Sequence, residues 1–187
     1  MAANSKIVVL VGSLRQGSYN RMVANTLQEL APEGMEIEIL PSVGEIPHYD
    51  SDVQAAGIPQ AVLNMGAAIK AADGIVIVTP EYNYSVPGVL KNAIDWLSRL
   101  PDAPFAGKPL AIQSASMGIL GGARAQYQLR QILVFLDAMV VNKPEIMIGV
   151  VQNKVDPATG KLTDADTRAF VGKQLAALAS LIARLKD

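Results

Sequence analysis

Short apolar runs alternate along the chain with segments in which apolar residues recur every three or four positions. The runs predict β-strands, and the recurring positions predict amphipathic helices. Strands are predicted at residues 6–12, 35–40, 74–79, 109–114 and 145–151, and helices at residues 20–30, 60–72, 87–99, 122–139 and 163–186. The Pro-, Gly- and Asp-rich residues 42–57 predict a long loop, and residues 153–160 predict a turn-rich connection.

The order of these elements predicts the fold class. Strands and helices alternate, and two of the strands are apolar throughout, as in a parallel sheet that helices cover on both faces. We therefore expect an α/β, doubly wound, five-stranded parallel sheet. The 187 residues contain no linker, repeat or low-complexity segment, so residues 1–187 are predicted to form a single domain.

Composition excludes several functions. The formal net charge is -1 and no block of Lys and Arg occurs, so nucleic acid is not an expected partner. No apolar run reaches the length of about 18 residues that a membrane span requires, and the N-terminus lacks the features of a signal peptide. We expect a cytoplasmic protein. The absence of cysteine excludes disulfides, thiolate zinc sites and the low-molecular-weight tyrosine phosphatases, and the single histidine, His48, cannot form a His-rich metal site.

Ligands of doubly wound sheets bind beyond the carboxyl ends of the strands, which selects three loops here. The first loop, residues 12–20, has two glycines at the spacing of a P-loop, but Ser18 replaces the lysine. Its hydroxyls, its arginine and the N-terminus of the following helix suit a terminal monophosphate that is bound and not cleaved. The alternative is a polar turn in which Asn20 caps the helix.

The second loop, residues 79–88, follows the most apolar strand. Two prolines stiffen it, and it concentrates a carboxylate, an amide and two aromatic rings at the expected ligand site. Such a loop suits a flat heteroaromatic ligand with a polar edge. The alternative is an ordinary crossover turn in which Tyr82 and Tyr84 only pack.

Two motifs carry a family resemblance. They are Gly-Ser-Leu-Arg-x-Gly-Ser-x-Asn at residues 12–20 and Thr-Pro-Glu-Tyr-Asn-x-Ser-x-Pro-Gly-x-Leu-Lys-Asn-Ala-Ile-Asp-Trp at residues 79–96. Together they resemble the NADPH-dependent FMN reductase family of flavodoxin-like proteins, and within it the bacterial soluble quinone reductases, also called chromate reductases. The resemblance implies the flavodoxin-like strand order 2-1-3-4-5.

The resemblance also implies a set of cofactor-binding residues. The FMN phosphate is expected at the first loop, and the isoalloxazine and ribityl chain at the second. The third loop, residues 114–122, is similar to the family's Ser-x-Gly-x-x-Gly-Gly segment, although a plain glycine-rich turn is the alternative there. The expected residues are Ser13, Arg15, Ser18, Asn20 and Arg21 in the first loop, Pro80, Glu81, Tyr82 and Asn83 in the second, and Ser116 in the third.

No acid, base or nucleophile cluster stands out, so no catalytic side chain and no metal ligand are predicted. The resemblance assigns the chemistry to the flavin N5, as an FMN-dependent NAD(P)H:quinone oxidoreductase with two-electron, ping-pong hydride transfer that also reduces chromate. NADPH or NADH is the expected donor, and Arg15, Arg21 and Arg124 are candidates for its phosphates. Two alternatives remain, a reductase that supplies free reduced flavin and a flavodoxin-type electron carrier.

The resemblance further implies a homodimer or a homotetramer with the flavin sites at the dimer interface. The helix at residues 91–99 and the loop at residues 42–57 are then interface candidates. Arg124, Tyr127 and Glu145 are candidate partners across subunits, with simple surface exposure as the alternative.

Overall fold

The computed structural model describes residues 4–186. Strands form where the sequence is continuously apolar, and helices where apolar residues recur at helical spacing. In chain order the elements are β1 (Ser5–Val11), α1 (Tyr19–Leu30), β2 (Met35–Ile39), α2 (Ser51–Ala56), α3 (Gln60–Ala71), β3 (Gly74–Thr79), α4 (Gly88–Leu97), β4 (Pro109–Ala115), α5 (Ala123–Phe135), β5 (Met139–Val140), β6 (Ile146–Ile148), β7 (Val155–Asp156), β8 (Lys161–Leu162) and α6 (Ala165–Lys186).

The main sheet is parallel with the strand order β2-β1-β3-β4-β5, and β6 also pairs with β4. This order confirms the predicted doubly wound, flavodoxin-like fold. The predicted fifth strand, residues 145–151, corresponds to β6 alone, and β5, which was not predicted as a strand, shares the same edge of β4. β5 pairs with the start of β4 at Pro109 and Leu110, and β6 pairs with its end at residues 113–115.

Alternate residues of the central strands face two apolar cores. Val8 and Leu10 of β1 face one core, which α3, α4 and α5 cover. Ile7 and Val9 face the other core, which α1 and α6 cover. Because β2 and β3 lie on opposite sides of β1, the winding reverses there, and the loops after β1 and β3 diverge to opposite faces of the sheet.

Three segments differ from the sequence predictions. The helix predicted over residues 122–139 ends at Phe135, because the chain turns through Asp137, whose φ is 54°, and then enters β5. The predicted loop at residues 42–57 contains α2, which Asp50 caps by accepting a hydrogen bond from the amide of Asp52. The turn-rich segment after residue 153 contains β7, which forms an antiparallel hairpin with β8.

Two further predictions concern absences. No helix in the described part of the chain has the length and apolar character needed to cross a membrane. Within residues 4–186 there is also no group of three or more His, Asp or Glu side chains that is placed to hold a metal ion.

Candidate active site

A cavity of about 320 Å³ lies at the carboxyl edge of the sheet, where the three selected loops meet. It brings together the predicted site residues except Arg21 and Asn83, and adds three that were not predicted, Tyr19, Ala115 and Met117. The residues that line it are Ser13, Arg15, Ser18, Tyr19, Asn20, Pro80, Glu81, Tyr82, Ala115, Ser116 and Met117.

The first loop lies directly against the end of β3. A Cβ atom built on Gly12 would stand 2.6 Å from the Oγ1 of Thr79, which is closer than real Cβ contacts. Glycine is therefore required at residue 12, because only its missing side chain lets the first and second loops approach each other.

The first loop ends at the N-terminus of α1, where two main-chain amides have no hydrogen-bond acceptor within the helix. Ser18, and not Asn20, caps α1, since its Oγ accepts a hydrogen bond from the amide of Arg21 at 3.3 Å. The amides of Tyr19 and Asn20 in the first turn have no acceptor inside the helix, and both residues line the cavity. The positive end of the α1 dipole therefore faces the cavity, where it favours an anion.

The side chains of Ser13 and Arg15 add to this polar wall. Both line the cavity, and neither makes a hydrogen bond or an ion pair within residues 4–186. The Arg15 guanidinium lies 4.9 Å from the centroid of the Tyr19 ring, which leaves its N–H groups available to an anion. These groups fit a phosphate monoester, because hydroxyl, guanidinium and amide donors line the same cavity. The carboxylate among the lining residues, Glu81, is paired with Arg124.

Asn20 has a different role from its neighbours. Its Nδ2 donates to the carbonyl of Ala115, and its Oδ1 accepts from the amide of Ala115, both at 3.0 Å. The residue is 3% exposed. The side chain thus joins α1 to the end of β4, and only the main-chain amide of Asn20 is left for a ligand.

The second loop is a tight hairpin. Tyr82 and Ser85 exchange two main-chain hydrogen bonds of 3.0 Å, and Asn83 and Tyr84 between them have φ values of 49° and 68°. Asparagine tolerates this left-handed region better than most residues. The structure places Asn83 at the exposed tip of the hairpin and not on the cavity wall.

Helix α5 holds this hairpin in place. The Glu81 carboxylate accepts from Arg124 at 3.3 Å and from the amide of Ala125 at 3.1 Å. The Arg124 guanidinium also stacks 3.8 Å from the centroid of the Tyr84 ring. Gln128 donates to the carbonyl of Tyr84 at 2.9 Å. The polar side of the hairpin is therefore occupied by protein partners, and Pro80 and Tyr82 remain to form the cavity wall.

The third loop supplies the opposite wall with Ser116 and Met117. The Oγ of Ser116 accepts from the amide of Gly118 at 3.1 Å, which closes a small turn. Gly121 has a φ of 60°, and a Cβ atom there would stand 2.5 Å from the main chain of Met147. This loop is thus packed tightly on the main chain of β6 and of Gly149, which follows it.

The three interface candidates contact each other or the hairpin within the chain. Arg124 pairs with Glu81, as described above. The hydroxyl of Tyr127 donates to Glu145 at 3.3 Å, and Arg130 lies 3.8 Å from the same carboxylate. The lining residues that the sequence did not predict, Tyr19, Ala115 and Met117, directly adjoin predicted ones, so their position beside Ser18, Asn20 and Ser116 was the available signal.

Comparison with known proteins agrees with this geometry. The family model described as NADPH-dependent FMN reductase matches residues 5–153. The chain belongs to the NADPH-dependent FMN reductase family. Membership confirms the predicted family, and with it an NAD(P)H-dependent flavin oxidoreductase whose cofactors are FMN and NAD(P)H.

Individual relatives of this FMN reductase family member cover nearly the whole chain. The chain is 60% identical to a quinone reductase of Escherichia coli over 187 residues, which is 100% of both chains. It is 50% identical to an NAD(P)H-dependent FMN reductase of Pseudomonas aeruginosa over 186 residues, 100% of both chains. The solved structure of FerB, a flavoenzyme NAD(P)H:(acceptor) oxidoreductase from Paracoccus denitrificans, superposes with a TM-score of 0.86 at 35% identity, covering 96% of this chain and 98% of FerB.

Proposed function

We propose that this protein is an FMN-dependent NAD(P)H:quinone oxidoreductase. The observation that carries the proposal is the cavity at the carboxyl edge of the sheet, which has a donor-rich end at α1 and walls formed by the second and third loops. The name of the Escherichia coli relative supports a quinone as the acceptor. Bound FMN supplies two-electron hydride chemistry, and the protein supplies binding and orientation.

The described residues divide the binding of FMN between them. Ser13, Arg15, Ser18 and the open amides of α1 hold the phosphate, and their positive field offsets its charge. Pro80 and Tyr82 contact one part of the ring system, and Ser116 contacts another. No side chain is proposed to transfer a proton, and the chemistry is left to the flavin N5.

The substrates are expected to follow ping-pong kinetics. Both NAD(P)H and the quinone must reach the same open mouth of one cavity, so the first product leaves before the second substrate enters. Initial rates at several fixed quinone concentrations test this order. Parallel double-reciprocal lines are expected, and intersecting lines would require both substrates to bind together.

An absorbance experiment tests the function itself. The purified protein is expected to be yellow, to bleach on anaerobic addition of NADPH, and to recover its colour when a quinone is added. Chromate is proposed as an incidental acceptor, so its kcat/KM should fall below that of a small quinone. A protein that binds no added FMN, or whose reduced form does not react with quinone, would contradict the proposal.

A second candidate function is the supply of free reduced flavin. The name of the Pseudomonas aeruginosa relative favours it. Gel filtration separates the two functions, because a quinone reductase retains FMN whereas a supplier of reduced flavin releases it. A flavodoxin-type carrier is the weaker alternative, since carriers use strong acidic charge for docking and the net charge here is -1.

We also propose that the protein is a cytoplasmic homodimer or homotetramer. Large apolar side chains are exposed on the second and third loops, including Tyr84 at 64%, Met117 at 61% and Ile119 at 85%. Such a patch suits a subunit interface. Sedimentation velocity is expected to give a dimer or a tetramer, and a monomer at micromolar concentration would contradict this assembly.

A further inference from the structure

Gln126 of α5 is a completely buried amide beside the candidate site, with 0% of its surface exposed. Its Nε2 donates to the Oγ of Ser114 at 2.8 Å and to the carbonyl of Ile146 at 2.7 Å. The carbonyl oxygen of Ile146 can only accept a hydrogen bond, so the Gln126 amide must direct its NH₂ group, and not its oxygen, toward Ile146. One side chain therefore joins α5 to the end of β4 and to the start of β6.

The contact with Gln126 also determines what the Ser114 hydroxyl does. A serine hydroxyl has one hydrogen, and here its oxygen already accepts from Gln126. The hydrogen is donated to the carbonyl of Gly121 at 2.6 Å. A Cβ atom on Gly122 would lie 2.8 Å from the Cβ of Ser114, so the returning end of the third loop packs directly on this serine.

We propose that Gln126 is a positioning residue for the flavin site. It acts through the Ser114 hydroxyl, which sets the path of the third loop and so the place of Ser116 and Met117 on the cavity wall. Gln126 does not line the cavity, so it acts on the ligand through its neighbours, and Ser114 is the neighbour that belongs to the third loop. The role rests on the proposed FMN site at these residues.

Gln174 of α6 offers a matched control. It is also 0% exposed, and its Nε2 donates to the carbonyls of Ile112 and Pro144 at 3.1 and 2.8 Å. It lies on the other face of the sheet, also accepts from the Nε2 of Gln113 at 3.1 Å, and makes no hydrogen bond to a residue of the third loop among the described residues. Loss of its amide should therefore weaken the fold without moving the cavity wall.

The experiment compares Gln126→Met and Gln174→Met, which keep an unbranched side chain of similar length and remove the amide. Thermal unfolding, the FMN dissociation constant and the visible spectrum of bound FMN are measured for each. Both variants should unfold at lower temperature. Only Gln126→Met should weaken FMN binding, by about fivefold to tenfold, as expected for losing a buried hydrogen bond that orders the site, and should shift the flavin absorbance bands.

Ser114→Ala tests the proposed route. It should weaken FMN binding in the same direction, and the double variant should bind FMN no more weakly than Gln126→Met alone, because both changes break one chain of contacts. Equal losses of FMN affinity in Gln126→Met and Gln174→Met would overturn the proposal, as would additive effects of Gln126→Met and Ser114→Ala.

If Gln126→Met does not fold, Ser114→Ala decides the question by itself. Unchanged FMN affinity and an unchanged flavin spectrum in that variant would overturn the positioning role. Failure of the wild-type protein to bind FMN is a separate result, which would overturn the proposed site and this role with it.

Discussion

The first and second loops meet at Gly12 and Thr79, yet they use their polar groups in opposite ways. In the first loop, the side chains of Ser13 and Arg15 line the cavity and make no hydrogen bond or ion pair within residues 4–186. In the second loop, Glu81 is bound to Arg124 and to the start of α5. The first loop thus offers open donors, and the second offers a fixed surface.

This contrast indicates how the two loops divide recognition. Hydrogen-bond donors at a helix N-terminus that have no protein acceptor select for a negatively charged ligand, because the positive field at that end of the helix attracts any anion. A hairpin whose polar atoms are already paired selects for shape, because it is ordered before the ligand arrives. We therefore expect changes in the first loop to affect the phosphate, and changes in the hairpin to affect the whole ligand.

The largest expected effect is on the free energy of unfolding, at Asn20, whose side chain joins the first loop to the end of β4. Asn20→Asp removes the donor to the carbonyl of Ala115 and places a carboxylate against that oxygen in a buried site. We expect a loss of about 3 kcal/mol in the free energy of unfolding, measured by urea denaturation.

Asn25→Asp is the control for that change. Asn25 lies on the same helix and also donates to a carbonyl, that of Gly160 at 3.2 Å, but it is exposed. Its substitution should cost less than about 1 kcal/mol. Equal losses of unfolding free energy in Asn20→Asp and Asn25→Asp would show that the buried hydrogen bonds of Asn20 do not stabilise the packing of α1 against β4.

The next effect is on FMN affinity. Arg15→Ala removes a guanidinium that faces the cavity, and a charge-assisted hydrogen bond of about 1.5–3 kcal/mol corresponds to roughly tenfold to a hundredfold weaker binding. Fluorescence titration of the apoprotein with FMN measures it. Arg21→Ala should have the smaller effect, since Arg21 does not line the cavity; the reverse order would assign the phosphate to Arg21.

A smaller change in affinity is expected in the hairpin. Glu81→Gln keeps an oxygen for the amide of Ala125 but removes the charge that pairs with Arg124. The hairpin should loosen slightly and bind FMN about threefold more weakly, in line with a partly exposed ion pair. The same titration checks it, and a loss as large as that of Arg15→Ala would remove the contrast between the loops.

The smallest expected effect is on the pH dependence of stability, at a carboxylate outside both loops. Hydrogen bonds from Lys161 and then Arg168 lower the pKa of Glu29 below its ordinary value of 4.5. Because the folded-state pKa is below the unfolded one, the ionised Glu29 stabilises the fold above pH 4.5, and this contribution is lost as the pH falls through the folded-state pKa.

Glu29→Gln should therefore reduce stability at neutral pH and flatten its decline below pH 4.5. Thermal unfolding from pH 3 to pH 7 measures this. The exposed Glu33 is the control, and Glu33→Gln should follow the wild-type curve. FMN affinity at neutral pH should be unchanged in both variants.

The sequence predicted the parts of the fold that local patterns determine. β3 is apolar throughout, and its bounds were predicted as the structure has them. The end of α5 was not, because Val134 and Phe135 continue an apolar pattern although they are 78% and 85% exposed. Only the left-handed turn at Asp137 and pairing with β4 show that the helix has ended.

The candidate site shows the same limit. The choice of the three loops followed from the rule that ligands bind beyond the carboxyl ends of the strands, and the composition of the first two indicated a phosphate and a flat ligand. The roles within each loop depend on contacts between distant residues. Asn20 binds Ala115 across 95 positions, and Glu81 meets Arg124 across 43, so no local pattern distinguishes an open donor from an occupied one.

The most direct test of the contrast compares FMN with riboflavin, which is the same molecule without the phosphate. Their dissociation constants are measured on the wild-type apoprotein, Arg15→Ala and Glu81→Gln. The wild-type protein should bind FMN at least about a hundredfold more tightly than riboflavin. Arg15→Ala should remove most of this difference in affinity, whereas Glu81→Gln should weaken the binding of both ligands by the same factor. Equal wild-type affinities for FMN and riboflavin would contradict the phosphate role of the first loop.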